Sequence, residues 1–209
     1  MLYGKYRGVR DAAWQCLIDY NVKELPVQII DIAKKANVKV SRNSKAHWLK
    51  PKESGASFYR YDKEQWYIVY NDKEPIPRCK FTVAHELGHI YLGHTTKDGK
   101  HARTFDITKT EEETEADMFA ARLLAPACVL WALDLHTPKE ISRICDISQQ
   151  AAEVRAERMK VLYERDKFLL SPLERQVYKN FEKFINKQKN IPAEPPLNED
   201  LDKHLLDKN

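Results

Sequence analysis

Apolar residues recur along the chain with two periods, which predict a mixture of helices and strands. In residues 7–20 and 27–36 the apolar positions fall three and four residues apart, as in amphipathic helices. Residues 55–61 and 65–70 are rich in aromatic and β-branched side chains and are joined by a short polar link, which predicts a hairpin. Residues 38–40 alternate like a short strand. The pattern predicts an α+β fold that is mostly helical, with a small, mainly antiparallel sheet.

The second half of the chain is dominated by the helical period. Residues 78–94 and 110–126 each carry an apolar stripe at helical spacing, and the polar segment 95–110 between them is expected to be an exposed loop, a candidate lid. Beyond Pro126 the pattern stays helical to about residue 187, and residues 137–159 read as a helix-turn-helix-like pair.

These elements divide the chain into three predicted parts. Residues 1–135 are expected to form the main core, and residues 136–188 a helical C-terminal subdomain made of the helix-turn-helix-like pair and a last helix. Residues 189–209 contain three prolines and many charges, so this tail is expected to be disordered.

Composition and charge narrow the function classes. The chain has 209 residues and a net charge of only +4, which by itself does not indicate a nucleic-acid-binding protein. No apolar run is long enough for a transmembrane helix, and the first residues lack the apolar stretch of a signal peptide. The 4 cysteines are scattered, which favours free, buried thiols. Together these features predict a cytoplasmic protein without a membrane partner.

The best candidates for metal-binding and catalytic residues are His85, Glu86 and His89, which form an H-E-x-x-H motif. Residues four apart lie on one face of a helix, so the two imidazoles can grip one metal ion. Zinc suits this donor set and lowers the pKa of a bound water to about 7, and Glu86 is placed to take a proton from that water. Gly88 weakens a helix interior, so its presence indicates either close packing or room for the metal.

One further protein ligand is needed for a catalytic zinc site. The segment at 110–126 is its best source, because its apolar stripe passes Glu115 and Glu112 when it is extended towards the N-terminus. Glu115 lies one turn before Phe119 and is expected to face the site. Acidic residues in the first turn of a helix are also favoured by the helix dipole, which accounts for most of residues 111–113.

The segments FTVAHELGH and ETEADMFAARLLAP, taken together, resemble the ImmA/IrrE family of metallopeptidases. The resemblance covers roughly residues 24–160, and the pair of motifs is more specific than either one alone. One departure is Ala125, where family members usually have Met before the proline.

The resemblance implies a zincin-like fold and a set of functional residues. Carried over position by position, His85, His89 and Glu115 correspond to the zinc ligands and Glu86 to the catalytic base. It further implies a zinc-dependent endopeptidase that makes limited cuts in an intracellular protein, a helix-turn-helix repressor of a mobile element or stress response.

A second class of function stays open at this point. The chain can be a metal-binding regulator without hydrolytic activity that acts through protein or DNA contacts of residues 137–160. A DNA contact is disfavoured because residues 148–165 carry almost as many acidic as basic side chains. The presence of Glu86 favours the enzyme, since a structural zinc site needs no base.

Overall fold

The computed structural model of the protein describes residues 6–95, 100–104 and 110–190. The helices of this part are α1 (Arg7–Asp19), α2 (Ile29–Lys35), α3 (Asn43–Ala46), α4 (Ile76–Tyr91), α5 (Glu111–Leu124), α6 (Ala127–Ala132), α7 (Pro138–Cys145), α8 (Gln149–Arg165) and α9 (Pro172–Lys189). The strands are β1 (Val38–Arg42), β2 (Glu53–Arg60), β3 (Gln65–Tyr70) and β4 (Lys100–Thr104). The predicted mostly helical α+β fold is confirmed.

The strands form one mixed sheet in the order β1-β3-β2-β4. The predicted hairpin is β2 and β3, which pair antiparallel with Phe58 opposite Tyr67, and a 3₁₀ turn joins them. Strand β1 runs parallel to β3, and β4 runs antiparallel to β2. The sheet is therefore mainly antiparallel, as predicted.

The segment predicted as a loop contains the edge strand β4. Its residues pair with residues 53–58 of β2, with Ser57 opposite His101. Its composition is polar, so no apolar pattern marks it as a strand in the sequence. Its backbone pairing with β2 is what makes it a strand. The prediction of an exposed loop is therefore wrong for residues 100–104, while residues 96–99 and 105–109 lie outside the described part of the chain.

Helix α4 packs between the sheet and α5, and every residue from Thr82 to His89 is buried. Gly88 allows this close packing, because a Cβ atom at this position would lie 3.1 Å from the Phe119 ring. Of the two explanations that the sequence offered for Gly88, the structure supports close packing. The helix therefore holds its polar side chains in a fixed, enclosed setting.

The C-terminal helices dock on this core. Thr137 and Glu140 form a capping box at the start of α7, and Ser148 caps α8, as the sequence predicts for Thr137 and Ser148. Lys80 of α4 pairs with Asp146 in the α7–α8 turn, and α9 packs on α1 and α6.

A single apolar cluster runs from Val9 in α1 to Ile185 in α9. The predicted boundary at residue 135 stays a prediction, and the predicted disordered tail falls almost wholly in residues 191–209, outside the described residues.

The four cysteines are free, as expected, and three of them are buried. Burial raises the pKa of the Cys16, Cys128 and Cys145 thiols to about 12, so these groups stay protonated at neutral pH. Within residues 6–95 and 110–190, none of the helices combines the length and the apolar character needed to cross a membrane.

Candidate metal centre

The two histidines of the H-E-x-x-H motif meet on the inner face of α4. His85 and His89 are fully buried, and their Nε2 atoms lie 3.0 Å apart. Their spacing of four residues brings the rings together, as predicted, and the tight packing of α4 prevents them from turning outward.

The acidic side chain that reaches both histidines is Glu113, from the first turn of α5. One of its carboxylate oxygens lies 3.3 Å from Nε2 of His85, and the other lies 3.4 Å from Nε2 of His89. Burial alone would raise the pKa of Glu113, but the hydrogen bonds to the two histidines outweigh this effect and lower it. Glu113 is therefore ionised at neutral pH, the state that a metal ligand requires.

These three side chains lie close enough together to hold one metal ion. Zinc bonds to histidine nitrogen and carboxylate oxygen are about 2.0–2.2 Å long, so the corners of a tetrahedral site lie about 3.3–3.5 Å apart. The two Nε2 atoms lie 3.0 Å apart, and each lies 3.3–3.4 Å from a different carboxylate oxygen of Glu113, so all three side chains bring a ligand atom to one place. Of the described His, Cys, Asp and Glu side chains, His85, His89 and Glu113 are the group close enough together to hold one ion.

Glu115, predicted as the third ligand, lies elsewhere. Its carboxylate is 3.1 Å from Nε2 of His94. The reason is helical phase: with 3.6 residues per turn, Glu113 lies about 50° from the centre of the buried stripe of α5, whereas Glu115 lies about 110° from it. The prediction placed Glu115 by its spacing from Phe119, which lies at the edge of the buried stripe and not at its centre. The geometry thus differs from the prediction and favours Glu113.

Two further side chains hold the histidines in place. Asp117 accepts a hydrogen bond of 2.7 Å from Nδ1 of His85. Nδ1 of His89 lies 3.0 Å from Nδ1 of His94, whose other nitrogen faces Glu115. A metal needs a lone pair on both Nε2 atoms, so both protons must lie on Nδ1, where Asp117 and His94 can accept them.

Sequence reasoning missed Glu113, Asp117 and the role of His94. A signal was present, because Glu113 and Asp117 are four residues apart and share one helical face, like the two histidines that they meet.

Glu86, the predicted base, is fully buried and its carboxylate lies against β2. A Cβ atom on Gly55 would come within 3.2 Å of Oε1 of Glu86 and 2.4 Å of a methyl group of Thr82. Gly55 therefore allows β2 to approach the motif helix closely, and any larger residue there would push the carboxylate or the strand aside.

An α+β fold with a buried H-E-x-x-H helix packed beneath a mixed sheet belongs to the zincin-like metallopeptidase class of domains. Residues 33–163 match the family described as the IrrE N-terminal-like domain, Peptidase_M78, and the chain belongs to this family. The resemblance that the two sequence motifs suggested is confirmed.

Two individual proteins are similar to the chain. One is the "Uncharacterized immunity region protein 2" of Bacillus phage phi105, which is 39% identical over 75 residues, or 35% of this chain and 46% of the relative. The other is a solved structure of a Mycobacterium tuberculosis transcriptional regulator, with 13% identity and a TM-score of 0.46, covering 70% of this chain and 45% of that one. The chain thus spans less than half the length of either protein.

Proposed function

We propose that this chain is a zinc-dependent endopeptidase that makes limited cuts in a cytoplasmic helix-turn-helix repressor, with His85, His89 and Glu113 as metal ligands and Glu86 as general base. The observation that carries the proposal is the cluster of His85, His89 and Glu113, with the buried Glu86 on the same helix as the two histidines. Three protein ligands leave a fourth position for water or substrate, the arrangement of catalytic rather than structural zinc sites.

The residues divide the chemistry between them. Bound zinc would supply a hydroxide at neutral pH and polarise the carbonyl of the scissile peptide. Glu86 would accept the proton of the attacking water and pass it to the leaving amine. Asp117 and His94 would keep His85 and His89 in the tautomer that presents Nε2.

The sheet suggests how a substrate is presented. Among the described strands, β4 lies at the edge of the sheet next to β2, and β2 is the strand that approaches Glu86 through Gly55. An extended peptide can add to an open sheet edge through main-chain hydrogen bonds. We therefore place the substrate antiparallel or parallel to β4, across the front of the three ligands.

The repressor as substrate rests on two supports. The family resemblance implies a regulator that acts on a helix-turn-helix repressor. The phage relative is named for an immunity region, and a repressor is a fitting target in such a region.

The test is incubation of the purified full chain and zinc with the repressor encoded beside it. We expect one or two discrete fragments by mass spectrometry. The Glu86→Gln variant should keep zinc and fold but lose cleavage by about a hundredfold or more, because an amide cannot accept the proton. Equal cleavage by this variant, or broad digestion of unrelated folded proteins, would contradict the proposal.

The alternative of a regulator that binds DNA through α8 is less well supported. Arg155, one of its basic residues, is only 8% exposed and donates a 2.5 Å hydrogen bond to the carbonyl of Ala125. Arg155 therefore ties α8 to the end of α5 and is not presented to a phosphate backbone. A repressor that is bound but left whole by the zinc-loaded chain would favour a regulator without hydrolytic activity.

A further inference from the structure

A second polar region lies apart from the candidate metal centre. It is a cavity of about 800 Å³ between α1, α5, α8 and the segment that leads into α9. Its volume falls within the range of small-molecule sites, about 300–1,000 Å³. Its lining includes Arg10, Arg122, Arg155 and Arg158, and none of the three proposed metal ligands or Glu86. We call it the arginine cavity.

Positive charge is concentrated in the arginine cavity. Seven of its lining residues are Arg or Lys and two are acidic, although the whole chain carries a net charge of only +4. One of the acids, Asp11, is bound by Arg10 at 2.8 Å. The other, Glu174, is buried and is held by hydrogen bonds from the backbone around Leu169 to Ser171. Both acids of the lining are thus already engaged, and basic side chains outnumber them among the lining residues.

Two of the arginines have buried donor atoms without a partner. Arg155 uses one Nη2 hydrogen for Ala125, while its Nε, like Nη1 of Arg122, has no hydrogen-bond partner among the described residues. Burial, with added repulsion from neighbouring arginines, lowers the pKa of both Arg122 and Arg155 to about 10. A buried cation is costly unless an anion accompanies it.

The lining also determines what kind of anion fits. Guanidinium groups bind phosphate oxygens through paired N–H donors, which favours phosphate over a single point charge. The cavity is also lined by the aromatic rings of Tyr6, Trp14 and Phe168, and the guanidinium of Arg10 stacks 4.5 Å above the ring of Trp14. Arg10 covers the ring of Trp14, so a planar ring would pack on this guanidinium or against Tyr6 and Phe168.

We propose that the arginine cavity binds a small phosphorylated molecule with an aromatic ring, of the nucleoside phosphate class. Arg122 and Arg158 would hold the phosphate, and the ring would pack against Arg10, Tyr6 or Phe168. This site is independent of whether the chain cleaves a repressor.

The test is calorimetric titration of the zinc-loaded full chain with adenosine monophosphate, inorganic phosphate and adenosine. We expect one adenosine monophosphate per chain, with adenosine and phosphate each at least about tenfold weaker because each lacks one half of the contacts. Arg122→Gln and Arg158→Gln should each weaken the nucleotide about tenfold or more. Lys160→Gln, an equal loss of charge on the exposed side of α8, should change the affinity less than about twofold.

Other results would overturn the proposal. These are no saturable binding of adenosine monophosphate or phosphate at millimolar concentration, or binding that both arginine variants retain while their circular dichroism shows a native fold. Equal affinity for adenosine and its monophosphate would also overturn it. So would tighter binding of a DNA duplex with the same dependence on Arg122 and Arg158, which would assign the surface to nucleic acid.

Discussion

The candidate metal centre and the arginine cavity are both polar clusters against one apolar core, and they differ in how their charges are balanced. In the metal centre each histidine has an acid or a second imidazole within hydrogen-bond distance. In the arginine cavity the cations mainly face one another. The first cluster can persist without a ligand, because its own residues satisfy one another. The second contains buried guanidinium donors of Arg122 and Arg155 without a hydrogen-bond partner among the described residues, and a bound anion would offset the cost of burying these charges.

The two clusters also differ in their origin along the chain. The candidate metal centre comes from two helices, α4 and α5, and the spacing of His85 and His89 indicates a metal site from the sequence alone. The arginine cavity gathers side chains from α1, α5 and α8, which are far apart in sequence. Helix α5 contributes to both: Glu113 and Asp117 face the metal centre, and Arg122 faces the cavity. Variants of these residues can therefore test the two clusters separately.

The largest expected effect is on zinc binding. Glu113→Gln should lower the zinc affinity by more than about a hundredfold, because an amide is a poor ligand and the site keeps only two histidines. Glu112→Gln removes the same charge from an exposed neighbouring position and should change the affinity little. Competition with a chromogenic chelator measures both. A loss of zinc from Glu115→Gln and not from Glu113→Gln would restore the ligand that the sequence predicted.

The next largest effect on zinc affinity is expected for Asp117, which contacts Nδ1 of His85. Asp117→Asn should weaken zinc about tenfold to a hundredfold, the range for partners that orient a histidine ligand. The amide can still occupy the space, but it no longer offers a charged acceptor to Nδ1 of His85. Chelator competition and the melting temperature without zinc separate a ligand effect from general destabilisation. An unchanged zinc affinity would show that this contact is only structural.

A smaller effect on zinc affinity is expected for His94, which contacts His89, and for Glu115, which contacts His94. His94→Ala should weaken zinc by about tenfold or less, because His89 loses a neutral acceptor and not a charged one. Glu115→Gln acts through the same imidazole, so the double variant should be little weaker than His94→Ala alone. Additive losses in this double-mutant cycle would mean that Glu115 acts on the metal by a separate route.

Sequence reasoning identified the features that depend on local spacing. The pairing of His85 with His89, the caps at Thr137 and Ser148, and the hairpin of β2 and β3 all follow from residues near one another in the chain. It misassigned β4, because a polar edge strand is specified by its pairing with β2 and not by its own pattern.

The choice between Glu113 and Glu115 shows the limit more sharply. Several glutamates open α5, and choosing among them requires the rotation of this helix to within a fraction of a turn. That rotation is set by Phe119 packing on Gly88, a tertiary contact. The arginine cavity gave no sequence signal, because a basic residue in a helix usually indicates a solvated face.

The smallest expected effect concerns stability and tests the balance of charge in the arginine cavity directly. The pKa of Arg122 is lowered to about 10 by burial and by repulsion from Arg158 and Arg10, so the folded state disfavours the charged form relative to the unfolded chain. The unfolded state then binds more protons between pH of about 10 and 12.5, and stability rises with pH across that window. At pH 7 Arg122 is charged in both the folded and the unfolded state. The folded state therefore carries the full cost of burying this charge.

Removing this charge should therefore stabilise the protein without ligand. Arg122→Gln is expected to raise the free energy of unfolding by on the order of 1 kcal/mol, less than the pKa shift alone would give, because the glutamine amide is still partly buried. The gain should shrink as salt screens the repulsion. Lys160→Gln, whose ammonium is exposed beside Glu157, should stay within about 0.5 kcal/mol of the wild type. Urea unfolding at low and high salt measures both variants. If Arg122→Gln destabilises the protein at low salt, Arg122 is balanced within the fold, and the contrast between the two clusters fails.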